Sequence, residues 1–125
     1  MTKEEALHQF WSSFGWTAYD ENSVPEDAVL PYITYEVVTG KLGGTVYPTA
    51  SLWDRSTSWR SVTEKGNDIA RELSYGGKTI KFDDGVLFIV QGTTFTQRFA
   101  DVDTTTNKEV KRLLLNLNAE FLSAD

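Results

Sequence analysis

Cysteine is absent from all 125 residues, which removes disulfides, thiolate nucleophiles and thiolate metal sites together. Histidine occurs once, as His8. With Glu4 one turn before it on a helix, that imidazole makes two ligands where zinc needs three or four. It is also the only conventional base for the many serines and threonines. No catalytic, cofactor or metal site is therefore expected, although the 18 acids leave a glycosidase-type carboxylate pair open, because nothing singles out two of them. Basic residues are scarce as well: 12 Lys and Arg against 18 Asp and Glu give a net charge of -6. Phosphate-backbone binding draws its affinity from clustered cations that release counterions, so a nucleic-acid binder is disfavoured. No apolar run approaches the roughly 20 residues of a membrane-spanning helix. The opening MTKEEALHQFWSSFG carries acids where a secretion signal carries a basic head, so a soluble protein made without export is expected.

What is present is 40% hydrophobic and 13% aromatic residues, enough for one domain spanning 1–125 to bury a core. Thr2 followed by Glu5 fits a capping box, and Leu7, Phe10, Trp11 and Phe14 recur at helical spacing, which predicts a helix from Lys3 to Phe14. Residues 16–31 hold acids and two prolines without a period and read as an irregular segment. YITYEVVTG predicts a strand ended by Gly40, and the glycines at 40, 43 and 44 suit a hairpin loop. From Thr45 to Trp53 a second strand places Tyr47, Thr49, Ser51 and Trp53 on one face and Val46, Pro48, Ala50 and Leu52 on the other. Pro48 cannot donate to a ladder, which predicts an edge strand or a bulge.

Ser56 or Ser58 can cap a helix whose apolar side is Trp59, Val62, Gly66, Ile69, Ala70 and Leu73, ended by Gly76 and Gly77. A hairpin over the DDG turn at 83–85 leads into VLFIV, and Thr94 to Phe99 alternates again. In EVKRLLLNLNAEFL both a helical stripe and five alternate apolar positions are visible. Asn116 and Asn118 are poor helix-interior residues and favour the strand. The expected fold is α+β, one mostly antiparallel sheet with two helices packed against it.

Two features invite functional readings. Trp59 opens the second helix on its apolar side and reads as a core joint. Trp53 shares its face with Tyr47 and lies near Arg55, the aromatic and arginine character of an interface centre; these three are the candidate interface residues. The acids Asp20, Glu21, Glu26 and Asp27, and the Asp83–Asp84 turn, form two clusters that read as solvated surface. The alternate oxygens of Asp101, Asp103, Thr105, Asn107 and Glu109 suggest a calcium loop. Thr106 replaces the turn glycine, however, and Arg112 the bidentate glutamate, so calcium is not expected.

The order of these features, with "LPYITYEV", "LWDRSTSW", "IKFDDGVLFIVQG" and a final "LLLNLNAEFL", resembles the tail terminator and related neck proteins of long-tailed bacteriophages, a group often labelled minor capsid proteins. The resemblance covers nearly the whole chain and rests on element order and short phrases. It implies a small α+β subunit that assembles into a six-fold ring, caps the tail tube and presents a docking surface to the head connector. Its partners would be itself, the tail tube protein and the head connector protein. DNA would pass through without specific binding, and no membrane would be involved. The location implied is the virion, after synthesis in the host cytoplasm. In such a ring the six acids Asp20, Glu21, Glu26, Asp27, Asp83 and Asp84 become candidates for the lumen, where negative charge lets DNA slide. A monomeric ligand- or peptide-binding α+β module and a small hydrolase are the alternatives.

Overall fold

A computed structural model describes residues 1–39, 44–74, 76–83, 85–99 and 110–121. Helix α1 runs over Lys3–Ser12 and begins as its sequence dictates: the Thr2 hydroxyl accepts from the Glu5 amide while the Glu5 carboxylate accepts from the Thr2 amide. It ends two residues before the predicted Phe14, where Ser13 turns its hydroxyl onto the Phe10 carbonyl. Ala6, Leu7, Phe10 and Trp11 are its buried face.

Four strands follow: β1 (Thr17–Asp20), β2 (Tyr32–Tyr35), β3 (Thr45–Val46) and β4 (Thr49–Arg55). Strand β1 corrects the reading of 16–31 as wholly irregular, since it pairs in parallel with β2 from Thr17 opposite Tyr32 to Asp20 opposite Tyr35. Strand β2 stops at Tyr35, short of the predicted Gly40; residues 40–43 of the predicted hairpin loop lie outside the described residues. Strands β3 and β4 keep one unbroken register against the last strand, so Pro48 makes no bulge. Its carbonyl still accepts from Leu117, and only its missing N–H interrupts the ladder. The edge reading holds for β3, which among the described residues is paired on one side only. It fails for β4, which lies between β2 and the last strand, Val110–Phe121.

Helix α2 (Arg60–Glu72) has Trp59 at its N-cap position with no side-chain capping bond, whereas Ser58, one of the two predicted caps, accepts from the Arg60 amide. Val62, Gly66, Ile69 and Leu73 face the sheet. A Cβ at Gly66 would sit 2.9 Å from a methyl of Leu113, so this glycine sets how closely the helix approaches. Past the helix Gly77 has φ +82° and lies so near the backbone of the neighbouring strand that a Cβ would be 2.5 Å from the Ile89 oxygen.

Strands β5 (Lys78–Phe82), β6 (Gly85–Phe99) and β7 (Val110–Phe121) complete the sheet in the order β1-β2-β4-β7-β6-β5, with β3 also on β7. The predicted separate strand at Thr94–Phe99 is the second half of β6. Gln91 faces Leu117 and Thr96 faces Leu115, so residues 92–95 bulge opposite Asn116 alone. The Asn116 amide holds the bulge by donating to the Thr94 carbonyl and the Gln97 side chain at 2.7 and 2.8 Å. Strand β7 is central, and its alternate residues Leu113, Leu115, Leu117, Ala119 and Phe121 are all buried. The result is an α+β fold with a mostly antiparallel sheet and two helices on one face. Helix α2 covers β4, β7 and β6, while α1 touches both β1 and β5, the opposite ends of the strand order, so the sheet curls around it.

Candidate functional site

Each strand sends alternate side chains to opposite faces. Leu52, Leu113, Leu115 and Tyr35 go to the helix side, where Trp11 stacks on Tyr35 at 6.2 Å. Tyr19, Tyr32, Thr34, Ser51, Trp53, Arg112 and Leu114 go to the other, against which no described helix packs. Registers bring aromatics from three strands into one row: Tyr19 meets Tyr32 edge-on at 5.6 Å, and Tyr32 meets Trp53 at 6.2 Å. The Arg112 guanidinium lies over the Trp53 ring at 4.8 Å, a cation–π contact.

Beneath this row the polar atoms are paired. Trp53 Nε1 donates to Thr34 Oγ1 and Arg112 Nε to Ser51 Oγ, both at 3.0 Å. These bonds let Thr34 and Ser51 be buried without cost to the sheet. Trp53 itself is half-buried. The site is thus a preformed, half-exposed strip of two tyrosines, a tryptophan and an arginine, each fixed by a ring contact or hydrogen bond.

Of the predicted interface residues, Trp53 sits at the centre of this strip. Tyr47 extends from the same face between β3 and β4 and is 72% exposed. Arg55 is exposed at the end of β4, opposite Val110. Trp59 is also half-buried, with the cations of Arg98 and Lys111 at 5.1 and 5.7 Å from its ring. The two tryptophans therefore differ less in burial than in neighbours. Sequence reasoning did not assign Tyr19, Tyr32 and Arg112 to the site. The alternation in YITY places Tyr32 and Thr34 together on one face, but only strand pairing reveals their meeting with Trp53.

The candidate acids divide. Asp20 ends β1 and accepts from the Asn22 amide; Glu21, Glu26 and Asp27 are exposed in the following segment. The Glu21 carboxyl is held above the usual carboxylate range by desolvation and by the neighbouring Glu36 and Asp20, and Arg112 partly offsets this. Asp83 lies at the β5–β6 turn, paired with the N-terminal ammonium of Met1. Asp84 lies outside the described residues, as does the calcium-like stretch 101–109.

His8 is exposed on α1, its ring nitrogens 3.4 Å from the hydroxyls of Ser12 and Tyr35. It borders an open groove of about 690 Å³ between α1 and β1, lined also by Glu4, Glu5, Ala18, Tyr19 and Asp20. Among the described residues, no group of three or more His, Asp or Glu is arranged to hold a metal ion, and no helix is long and apolar enough to cross a membrane. No protein family, no curated protein and no solved structure matches this chain.

Proposed function

We propose that this chain is a virion structural subunit that self-assembles into a ring at the end of a phage tail tube and joins it to the head connector. The observation that carries the reading is the strip Tyr19–Tyr32–Trp53–Arg112 on the sheet face against which no described helix packs. Tyr, Trp and Arg are the residues enriched where protein interfaces hold their binding energy. Ring contacts and hydrogen bonds already hold its side chains, so less side-chain entropy is lost on contact. The strip lies on the outer face of the curled sheet, which suits a protein surface better than a small ligand, held in a concave pocket. The resemblance of the sequence to tail terminator proteins supplies the assembly, and the α+β fold is the one that resemblance implies. In this reading the strip, with Tyr47 at its rim, meets the tube or the connector. Glu26 and Asp27 repel passing DNA from an exposed loop.

A second reading, a peptide-binding module that stays monomeric, is favoured by the groove between α1 and β1. Negative-stain images separate the two. Tails carrying the protein are expected to end in a ring, and tails assembled without it to vary in length. Normal tails from a deletion phage would overturn the ring reading.

A further inference from the structure

We infer that the cleft between α2 and the end of β6 is a binding site for a carboxylate side chain borne by another protein chain. It lies on the helix side of the sheet, apart from the strip, and rests on the reading as an assembly subunit only for the kind of molecule that bears the carboxylate.

The helix period and the bulge build the cleft together. On α2, Thr63 and Asn67 follow Trp59 at successive turns along one flank, beside the buried row of Val62, Gly66 and Ile69. The bulge at 92–95 resets β6 so that Thr96 and Arg98 are register partners of the buried Leu115 and Leu113 and point to the helix side. Gly66 lets the helix come close: a Cβ there would be 2.9 Å from Leu113 and 3.7 Å from Thr96. Thr63, Asn67, Thr96 and Arg98 then wall a cavity of about 280 Å³ with the buried Leu113 at its base.

The charge of this cavity has one sign. Its four polar side chains are exposed, and among the described residues the Arg98 guanidinium has no acidic partner. It rests instead over the Trp59 ring at 5.1 Å, a contact that holds the cation in place and leaves its N–H fork for a ligand. The acids of α2 are engaged elsewhere, Glu64 with Arg60 and Asp68 with Lys65 and Arg71. Geometry, charge and size select a carboxylate. A guanidinium offers parallel N–H donors that match two carboxylate oxygens, and threonine and asparagine add neutral donors around them. One cation balances one carboxylate, whereas a phosphate backbone needs clustered cations and is repelled by the net charge of -6. The cavity is smaller than the roughly 300 Å³ at which small-molecule pockets begin, yet it holds one side chain.

The probe is N-acetylglutamic acid α-amide, titrated at constant ionic strength into isotope-labelled full-length protein, with the corresponding glutamine compound as the neutral control. The expected result is a saturable shift of the Arg98 Nε–H and Trp59 Nε1–H resonances with the acid and none with the control. Arg98→Lys, which keeps the charge but loses the fork, should weaken binding about tenfold. Asn67→Ala, on the opposite wall, should weaken it about fivefold. Both positions are exposed, so either variant serves if the other fails to fold. Equal shifts from the two compounds, saturation by inorganic phosphate at a lower concentration than by the acid, or undiminished binding in the variants would overturn the assignment. Movement of the same resonances as the protein itself is concentrated, lost in Arg98→Gln, places the carboxylate on a second copy, and constancy places it on a different chain. Binding without a ring on tails would sink the ring reading and leave the cleft standing. A terminal ring with no binding would do the reverse.

Discussion

Trp53 shows how one side chain can be a structural and an interface residue together. Its indole N–H is committed to Thr34 and one ring face to Arg112, and Tyr32 borders it. Full burial would make a change to alanine cost about 3–5 kcal/mol. At half burial, Trp53→Ala is expected to cost about 2 kcal/mol in a denaturant titration, roughly half that value. Trp53→Phe, which keeps a ring under Arg112 but orphans Thr34, should cost about 1 kcal/mol, the net worth of a hydrogen bond. If the strip is the docking surface, Trp53→Phe should assemble nearly as well as wild type and Trp53→Ala should not. Equal assembly by both would remove Trp53 from the interface. The candidacy of Trp53 was legible in the sequence, because alternation gives its face-mates. Its partners Tyr32 and Arg112 were not, since they arrive from strands 21 and 59 positions away (53 − 32 and 112 − 53) through non-local pairing.

Among the elements, those with local signals were the readable ones. Helix α1 begins at its capping box, and β7 is a strand because five apolar residues alternate and two asparagines occupy the other face. Strand β1 was hidden: four residues, TAYD, carry too little alternation to register, and their parallel partner lies beyond a proline-containing segment. The bulge in β6 was hidden too, since Thr94–Phe99 alternates as a fresh strand would. The capping box offers a test at this scale. Thr2→Ala should destabilise the protein by about 1 kcal/mol. The Glu5 carboxyl is held below its usual 4.5 by the Thr2 amide and, less strongly, the Thr2 hydroxyl. A lowered carboxylate favours the fold when ionised, so its contribution is present above pH 4.5 and lost as pH falls through its lowered value. The melting-temperature gap between wild type and Glu5→Ala should therefore be widest near neutrality and close in strong acid. A gap constant across that range would exclude an ionised cap.

At the scale of the whole molecule, the net charge of -6 is unevenly spread. Asp20, Glu21, Glu26 and Asp27 fall within eight residues that contain no base, while Lys78, Lys81 and Arg98 mark the far strands. Asp20 is tied into the turn after β1, its carboxylate accepting from the Asn22 amide and its carbonyl from that of Ser23. Glu26 and Asp27, exposed in the segment between β1 and β2, are left to act at a distance. Their effect on DNA would be repulsion of phosphates, which fades over a Debye length of about 8 Å at physiological salt and reaches about 30 Å at 0.01 M. Replacing both by lysine changes the charge of each subunit by four, and a six-fold ring multiplies that change into a cationic collar. Such a collar binds DNA by counterion release, whose strength falls steeply with salt. Particles carrying Glu26→Lys with Asp27→Lys should thus assemble tails of normal length yet eject DNA slowly in low salt, with the rate recovering as salt is added. Ejection at the wild-type rate in low salt would place these two acids outside the lumen. A defect that persists unchanged at high salt would point instead to a contact with the neck, because only an electrostatic brake is released by screening.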